Sequence, residues 1–234
     1  NVTNINAAIT IGRYFEIDNI FIKEAIEEYV PSNNRSQLIQ LKGNEIILDC
    51  YNANPSSMQV AIDKAKIAGT GWVSVKHSNH YGIAGYHAMM ALDHEMIGIS
   101  LTNASPLVSP TFSKERLLGT NPIAVAIPAK NQPPFVADMA TTTAANGKLE
   151  ILQRKEMDAP LGWVQDKDGN QTTDSNGVKK GGALLPLGGD REHGSHKGYA
   201  LGAIVDIFSA VLSGANYGPW VPPFVAFLDP LPNL

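Results

Sequence analysis

The chain has 234 residues, of which 44% are hydrophobic and 17% charged. That is apolar material for one large or two small domains and too little charge for a disordered chain. Eighteen Lys plus Arg against 22 Asp plus Glu leave a formal charge of −4, with no global attraction to nucleic acid or an anionic membrane. The single cysteine, Cys50, excludes an intrachain disulfide and a cysteine-based zinc site. With no basic, then apolar, leader at its start, the expected location is cytoplasmic.

The first stretch, to about Tyr29, is helical in pattern. Ile5, Ala8, Ile9 and Gly12 share one face, and Phe21, Ile22, Ala25, Ile26 and Tyr29 form a second apolar stripe. Residues 31–34 break it. A weakly alternating run at 37–41, a turn at 42–44 and a short buried strand at 45–49 follow. A loop at 52–57 leads into a helix that Ser57 can cap, with Met58, Ala61, Ile62 and Ala65 inward and Gly69 past its end. Strands are predicted at 72–75, 96–101, 123–127 and 135–139, and helices at 84–95 and 142–154. Residues 166–170 make a polar turn, and 179–194 are glycine-rich. The apolar run 199–212, interrupted by Asp206, is shorter than the ~20 residues that span a bilayer and reads as a buried helix. The tail from Pro219 is proline-rich, with no helix expected. The fold class is mixed α/β or α+β.

Several phosphate and nucleophile signatures are missing. No Gly-x-Gly-x-x-Gly follows a strand, no Gly-x-x-x-x-Gly-Lys-Ser/Thr occurs, and no Gly-x-Ser-x-Gly elbow is present. Chemistry-bearing residues cluster instead after strands. His77-Ser78-Asn79-His80-Tyr81-Gly82 lies between a strand and a helix, where α/β enzymes place reacting groups. An imidazole there can take or give a proton near neutral pH, although a histidine satisfied by its own loop is the commoner case. A metal reading would use His77 and His80, or the ladder His80, His87 and His94; neighbours seven apart on a helix stand ~10 Å from each other, and no nearby carboxylate pair completes a site, so no metal is expected. Asp138-Met139-Ala140-Thr141-Thr142 ends a strand, with Thr141 or Thr142 able to cap the next helix. Lys197, in Gly194-Ser195-His196-Lys197-Gly198, opens a helix against the macrodipole. A phosphate or carboxylate between the helix amides and Lys197 would relieve that conflict.

Taken in order, residues 75–86, Gly119-Thr120-Asn121-Pro122-Ile123, Asp138-Met139-Ala140-Thr141, Asp166-Lys167-Asp168-Gly169 and His196-Lys197-Gly198-Tyr199 resemble the malate/L-lactate/ureidoglycolate dehydrogenase family. These are NAD(P)-dependent 2-hydroxyacid oxidoreductases without a Rossmann fold, so the missing glycine fingerprint is what the resemblance implies. It covers residues 59–234, and it implies a truncated dehydrogenase domain with a non-Rossmann sheet and helices. By that resemblance His80 is the catalytic histidine. Asp138, Met139, Ala140 and Lys197 bind NAD or NADP, Ser105 belongs to a further cofactor loop, Asn121 shapes the substrate site and no metal is required. It also implies a small 2-hydroxyacid or 2-oxoacid substrate and a homodimer.

Residues 1–58 carry a different resemblance. Asn4-Ile5-Asn6-Ala7-Ala8, Pro31-Ser32-Asn33-Asn34-Arg35-Ser36-Gln37 and Asp49-Cys50-Tyr51-Asn52-Ala53-Asn54-Pro55-Ser56-Ser57-Met58 resemble the Mur ligase that adds D-alanyl-D-alanine to the peptidoglycan precursor. The Ser-His-Gly segment and arginine that hold the substrate carboxylate in the dehydrogenase family have no match here. The expectation is thus a composite: a ligase-like helix-strand segment, 1–58, joined to the dehydrogenase-like domain. A scaffold that binds cofactor without turnover is the alternative function, and a peptidoglycan-precursor ligase the weaker one.

Overall fold

The computed structural model describes residues 2–27, 37–41, 44–48, 55–76, 78 and 80–222. His77, Asn79, Tyr29, Cys50, the break at 31–34, the turn at 42–43, the loop at 52–54 and the tail from 223 on lie outside the described residues.

The chain begins with a helical hairpin. α1 (Val2–Tyr14) and α2 (Asn19–Glu27) are separated by Glu16 in the left-handed region (φ 57°) and by Asp18, whose Oδ1 accepts the Ile20 N–H at 3.1 Å. That carboxylate caps α2. Gly12 lets the helices close: a Cβ there would stand 2.7 Å from Ile22 Cδ1. Ile22 is buried, while Ile11, Tyr14, Phe15 and Phe21 are exposed.

β1 (Gln37–Leu41) and β2 (Asn44–Leu48) pair antiparallel. α3 (Pro55–Ala68) then carries the chain to β3 (Val73–Ser74), which lies parallel to β2 through Ile47↔Val73 and Leu48↔Ser74. A parallel neighbour requires such a crossover. Pro55 takes the first helical position, where its missing N–H costs nothing. Ser57 is therefore buried inside the first turn instead of capping it.

The helix expected over 84–95 is two pieces. α4 (Ala84–Met89) ends after six residues, a 3₁₀ turn covers Leu92–His94, and Glu95 is left-handed at φ 58°. The Met96 N–H closes back on the Ala91 carbonyl at 3.1 Å, and β4 (Gly98–Leu101) starts immediately after. A side chain on Gly98 would collide with the Ala88 carbonyl, so the glycine allows strand and helix to touch. β4, β5 (Ile123–Ile127) and β6 (Phe135–Met139) form an antiparallel sheet in that order. α4 covers one face, with Ala84 and Ala88 packed on Ala124 and Ala126.

α5 (Asn146–Arg154) begins later than the sequence pattern implied, and its cap is Ala145, so neither Thr141 nor Thr142 caps it. Tertiary pairing takes those residues instead. Thr142 bridges Pro186, the Thr143 N–H donates to the Leu185 carbonyl, and Thr142 Oγ1 donates to the Ala144 carbonyl. β7 (Val164–Gln165) pairs with β8 (Gln171–Thr172) on one edge and β9 (Ala183–Leu184) on the other. Around them Leu149, Val164 and Leu184 are fully buried with Val108 and Val178.

α6 (Ser195–Asp206) runs into a π-helical turn at Ile207–Val211. The whole run was expected to be buried, but only one face is. Gly198, Gly202, Val205 and Ala210 point inward, while Ile204, Ile207, Phe208, Val211 and Leu212 are exposed. Apolarity all round the helix told of burial without telling what would supply it. Among the described residues no helix is long and apolar enough to cross a membrane.

Candidate active site

His80 is exposed in the loop between β3 and α4, and its Nδ1 accepts the Gly82 N–H at 3.1 Å. Gly82 takes φ 91°, which folds the loop back beneath the ring. The next residue, Tyr81, is half-buried. Its hydroxyl lies 2.9 Å from Ser100 Oγ, its ring stacks on His87 with centroids 4.5 Å apart, and its carbonyl meets His87 Nε2 at 3.0 Å. Burial, aided by the Asp138 charge, pushes the Tyr81 hydroxyl above the ordinary phenol range, with the Ser100 bond working against it.

Asp138 reaches this loop from the end of β6. Its Oδ2 accepts the Gly85 N–H at 2.7 Å, in the first turn of α4. Register explains the reach. Asp138 pairs with Ala124 and so projects from the sheet face that α4 covers, while Met139, one residue on, lies on the opposite face and is exposed. Past Ala140, the Thr141 N–H and Oγ1 both donate to the Thr120 carbonyl, and the Thr141 carbonyl accepts the Leu187 N–H. Gly198 of α6 abuts Leu187, and Gly202 lies against Thr141 Oγ1. The strand end that carries Asp138, Met139 and Ala140 thus meets the first turn of α4, the helix that follows the His80 loop, and through Thr141 it meets α6, the helix bearing Lys197.

Lys197 is exposed, its stem passing close to Gly194 at the head of α6. The arrangement differs from the expected anion cradle. The Ser195 N–H donates to the Asp190 carbonyl and the Lys197 N–H to that of Gly194, so the ammonium, more than the helix amides, is what an anion would meet. Ser105 Oγ donates to the Pro222 carbonyl at 2.8 Å, tying its loop to the far end of the described chain. Asn121 is fully buried at φ 37°. Its Oδ1 accepts the Ala104 N–H at 3.0 Å and its Nδ2 donates to the Gly202 carbonyl at 2.9 Å. Both ends of this amide are used inside the protein, so Asn121 braces the 103–105 loop against α6.

Sequence reasoning passed over Asp206. Its Oδ2 accepts the Gly218 N–H at 3.0 Å, its Oδ1 has no hydrogen-bond partner, and burial raises its pKa above the usual carboxylate range. The Asn103 and Asn121 amides nearby offset part of that rise. The signal was available, since Asp206 is the one charge in an apolar helical run. Tyr81 gave no such signal beyond its place beside His80. Among the described residues no group of three His, Cys, Asp or Glu could hold a metal ion.

A family model described as malate/L-lactate dehydrogenase matches residues 39–230. That match takes in 39–58, part of the stretch expected to be ligase-like. A malate dehydrogenase from Pyrococcus horikoshii is 55% identical over 166 residues, 70% of this chain and 46% of its own length. A malate/(S)-sulfolactate dehydrogenase from Methanothermus fervidus is 45% identical over 161 residues, 69% of this chain and 45% of its own length. The solved structure of the Pyrococcus horikoshii malate dehydrogenase superposes with a TM-score of 0.69 at 42% identity, covering 87% of this chain and 57% of that one. The chain spans about half the length of the curated relatives it matches. The match over most of its residues and the shared mixed α/β architecture lead to one conclusion: this chain belongs to the malate/L-lactate dehydrogenase family.

Proposed function

We propose that this chain carries the proton-transfer and cofactor-binding portion of an NAD(P)-dependent oxidoreductase acting on a small L-2-hydroxyacid such as malate or lactate. The observation that carries the reading is that one strand end, Asp138 to Thr141, contacts both the first turn of the helix following the His80 loop and the helix bearing Lys197. The donor set suits a nicotinamide nucleotide. An exposed ammonium at Lys197 fits phosphate oxygens, the exposed Asp138 carboxylate keeps Oδ1 for a ribose hydroxyl, and Met139, Ala140 and Ser105 are the further contacts of the proposal. When bound, the nicotinamide supplies the hydride acceptor or donor.

His80 manages the proton at the substrate oxygen. With Nδ1 accepting from Gly82, the neutral ring carries its hydrogen on Nε2, so it donates a hydrogen bond to that oxygen. Proton delivery in the reducing direction needs the imidazolium, whose Nδ1–H can no longer accept from Gly82. Delivery from Nε2 leaves the hydrogen on Nδ1, so the Gly82 bond stays open through the transfer and reforms only after the ring has lost its Nδ1 proton to solvent and taken one up at Nε2. Asn121 acts by positioning, holding the 103–105 loop against α6.

The test is NADH binding by fluorescence together with absorbance-monitored turnover on malate, lactate and sulfolactate. His80→Ala is expected to lower turnover about 10²–10⁴-fold and to leave NADH affinity unchanged. Failure to bind either NADH or NADPH overturns the reading, and binding without turnover by the unmodified chain favours the cofactor-binding scaffold instead.

Residues 1–38 lie outside the family match, and their ligase resemblance supports a composite chain. The exposure of Ile11, Tyr14, Phe15 and Phe21 on the α1–α2 hairpin also favours a head taken from another context. Intact mass with peptide mapping across residues 30–66 tests whether the join is covalent. The exposed apolar face of α6 supports a homodimer, checked by sedimentation, and nicotinamide-linked chemistry suits a cytoplasmic location.

A further inference from the structure

An open cavity of about 750 Å³ lies between the 114–116 loop, the β7–β8 turn and the 178–181 segment. Four cations line it: Lys114, Arg116, Lys167 and Lys179, with Glu115 as the sole carboxylate of the lining. Gathering like charges is unfavourable, and a chain of net charge −4 has carboxylates to spare. Carboxylates are nevertheless spent elsewhere. Lys180, next to Lys179, pairs with Asp174 at 2.6 Å. Asp166, next to Lys167, turns into its own hairpin and accepts the backbone N–H groups of Asp168 and Asn170 at 2.9 Å. Among the described residues, Lys114, Lys167 and Lys179 have no ion pair.

The walls are fixed while the ammonium groups stay exposed. The Arg116 guanidinium donates to the carbonyls of Val178 and Gly182, locking the 178–182 segment to the 114–116 loop. Gln165 Nε2 donates to the Ser113 carbonyl at 2.9 Å and holds the same loop to β7. Gly169 and Gly181, at φ 92° and 93°, lie against the stems of Lys114 and Lys167, where a Cβ would stand 3.2 and 3.7 Å from theirs. The loops therefore close onto the lysine stems.

We propose that this cavity binds a small anion of the pyrophosphate class, at a site that draws on different residues from the hydroxyacid site. The lining carries a net charge of about +3, the complement of pyrophosphate near neutral pH. Phosphate is favoured over carboxylate because planar carboxylates are best met by an arginine fork, and Nε and both Nη2 bonds of Arg116 already go to carbonyls, which interrupts each bidentate edge. What remains is Nη1 and the lysines, point donors that suit the tetrahedral oxygens of phosphate.

The experiment is calorimetric titration of the full chain with sodium pyrophosphate at constant ionic strength. One-to-one binding is expected, weakened by added salt. Lys114→Gln, Lys167→Gln and Lys179→Gln should each reduce affinity about two- to fivefold, and the triple variant on the order of 10- to 100-fold. These exposed positions leave the fold intact, so the triple variant should keep its NADH affinity, which separates this proposal from the proposed activity. No binding of pyrophosphate, equal affinity in the triple variant, equal affinity for citrate, or displacement by NADH would each overturn it.

Discussion

Two regions with similar strand chemistry end in opposite conditions. Around β7 and β9, Leu149, Val164 and Leu184 are enclosed on every side. In the β4–β5–β6 sheet only the face toward α4 is closed, and on the other Ile99, Ile127, Phe135 and Met139 stand 51%, 37%, 60% and 48% exposed. The strand Ile123-Ala124-Val125-Ala126-Ile127 is apolar on both faces, the composition of a strand meant to be covered twice. Strand composition thus reports how many layers a sheet needs, and the tertiary structure reports how many it has.

That contrast can be broken by substitution. Leu184→Ala, in the enclosed cluster, should lower stability by about 2–5 kcal/mol in denaturant titration. Asn121→Ala comes next. It leaves the Ala104 N–H without its partner and should cost about 1–3 kcal/mol, while the Gly202 carbonyl keeps its place in the α6 hydrogen-bond ladder. Asp206→Asn is read through pH. Burial raises the pKa of Asp206 in the folded state, so its contribution to stability is fully present below the ordinary carboxylate pKa and is lost as pH rises through the raised one. The variant should flatten that part of the stability–pH curve, and an unchanged curve would show that Asp206 does not titrate as described. Phe135→Ala, on the open face, should fall within about 0.5 kcal/mol of the unsubstituted chain. A cost near that of Leu184→Ala would mean that the face is covered in solution.

The candidates for the site were local features of the sequence. His80, Asp138 and Lys197 stand at the ends of elements, where apolar periodicity stops and polar residues take over, and local pattern reads such places well. The strands 123–127 and 135–139 fell within the expected bounds for the same reason. The helices at 84–95 and 142–154 did not. In the first, Gly98 had to reach the Ala88 carbonyl, and in the second, residues 141–143 were drawn into pairing with the 185–187 segment. Neither demand is local. Asn121 shows the same limit, since its spacing gave a polar turn and only packing disclosed an amide spent on two distant backbones.

The sequence by itself determined the charge balance, the alternation of strands and helices, the absence of a Rossmann fingerprint and the candidates for proton transfer and anion contact. All of these depend on neighbours within a few positions. The tertiary structure alone decided that Asp138 meets the first turn of α4, that one face of α6 stays open and that four cations surround one cavity. Those outcomes join residues tens of positions apart. Their free energies come from burial and register between elements, and no local pattern encodes them.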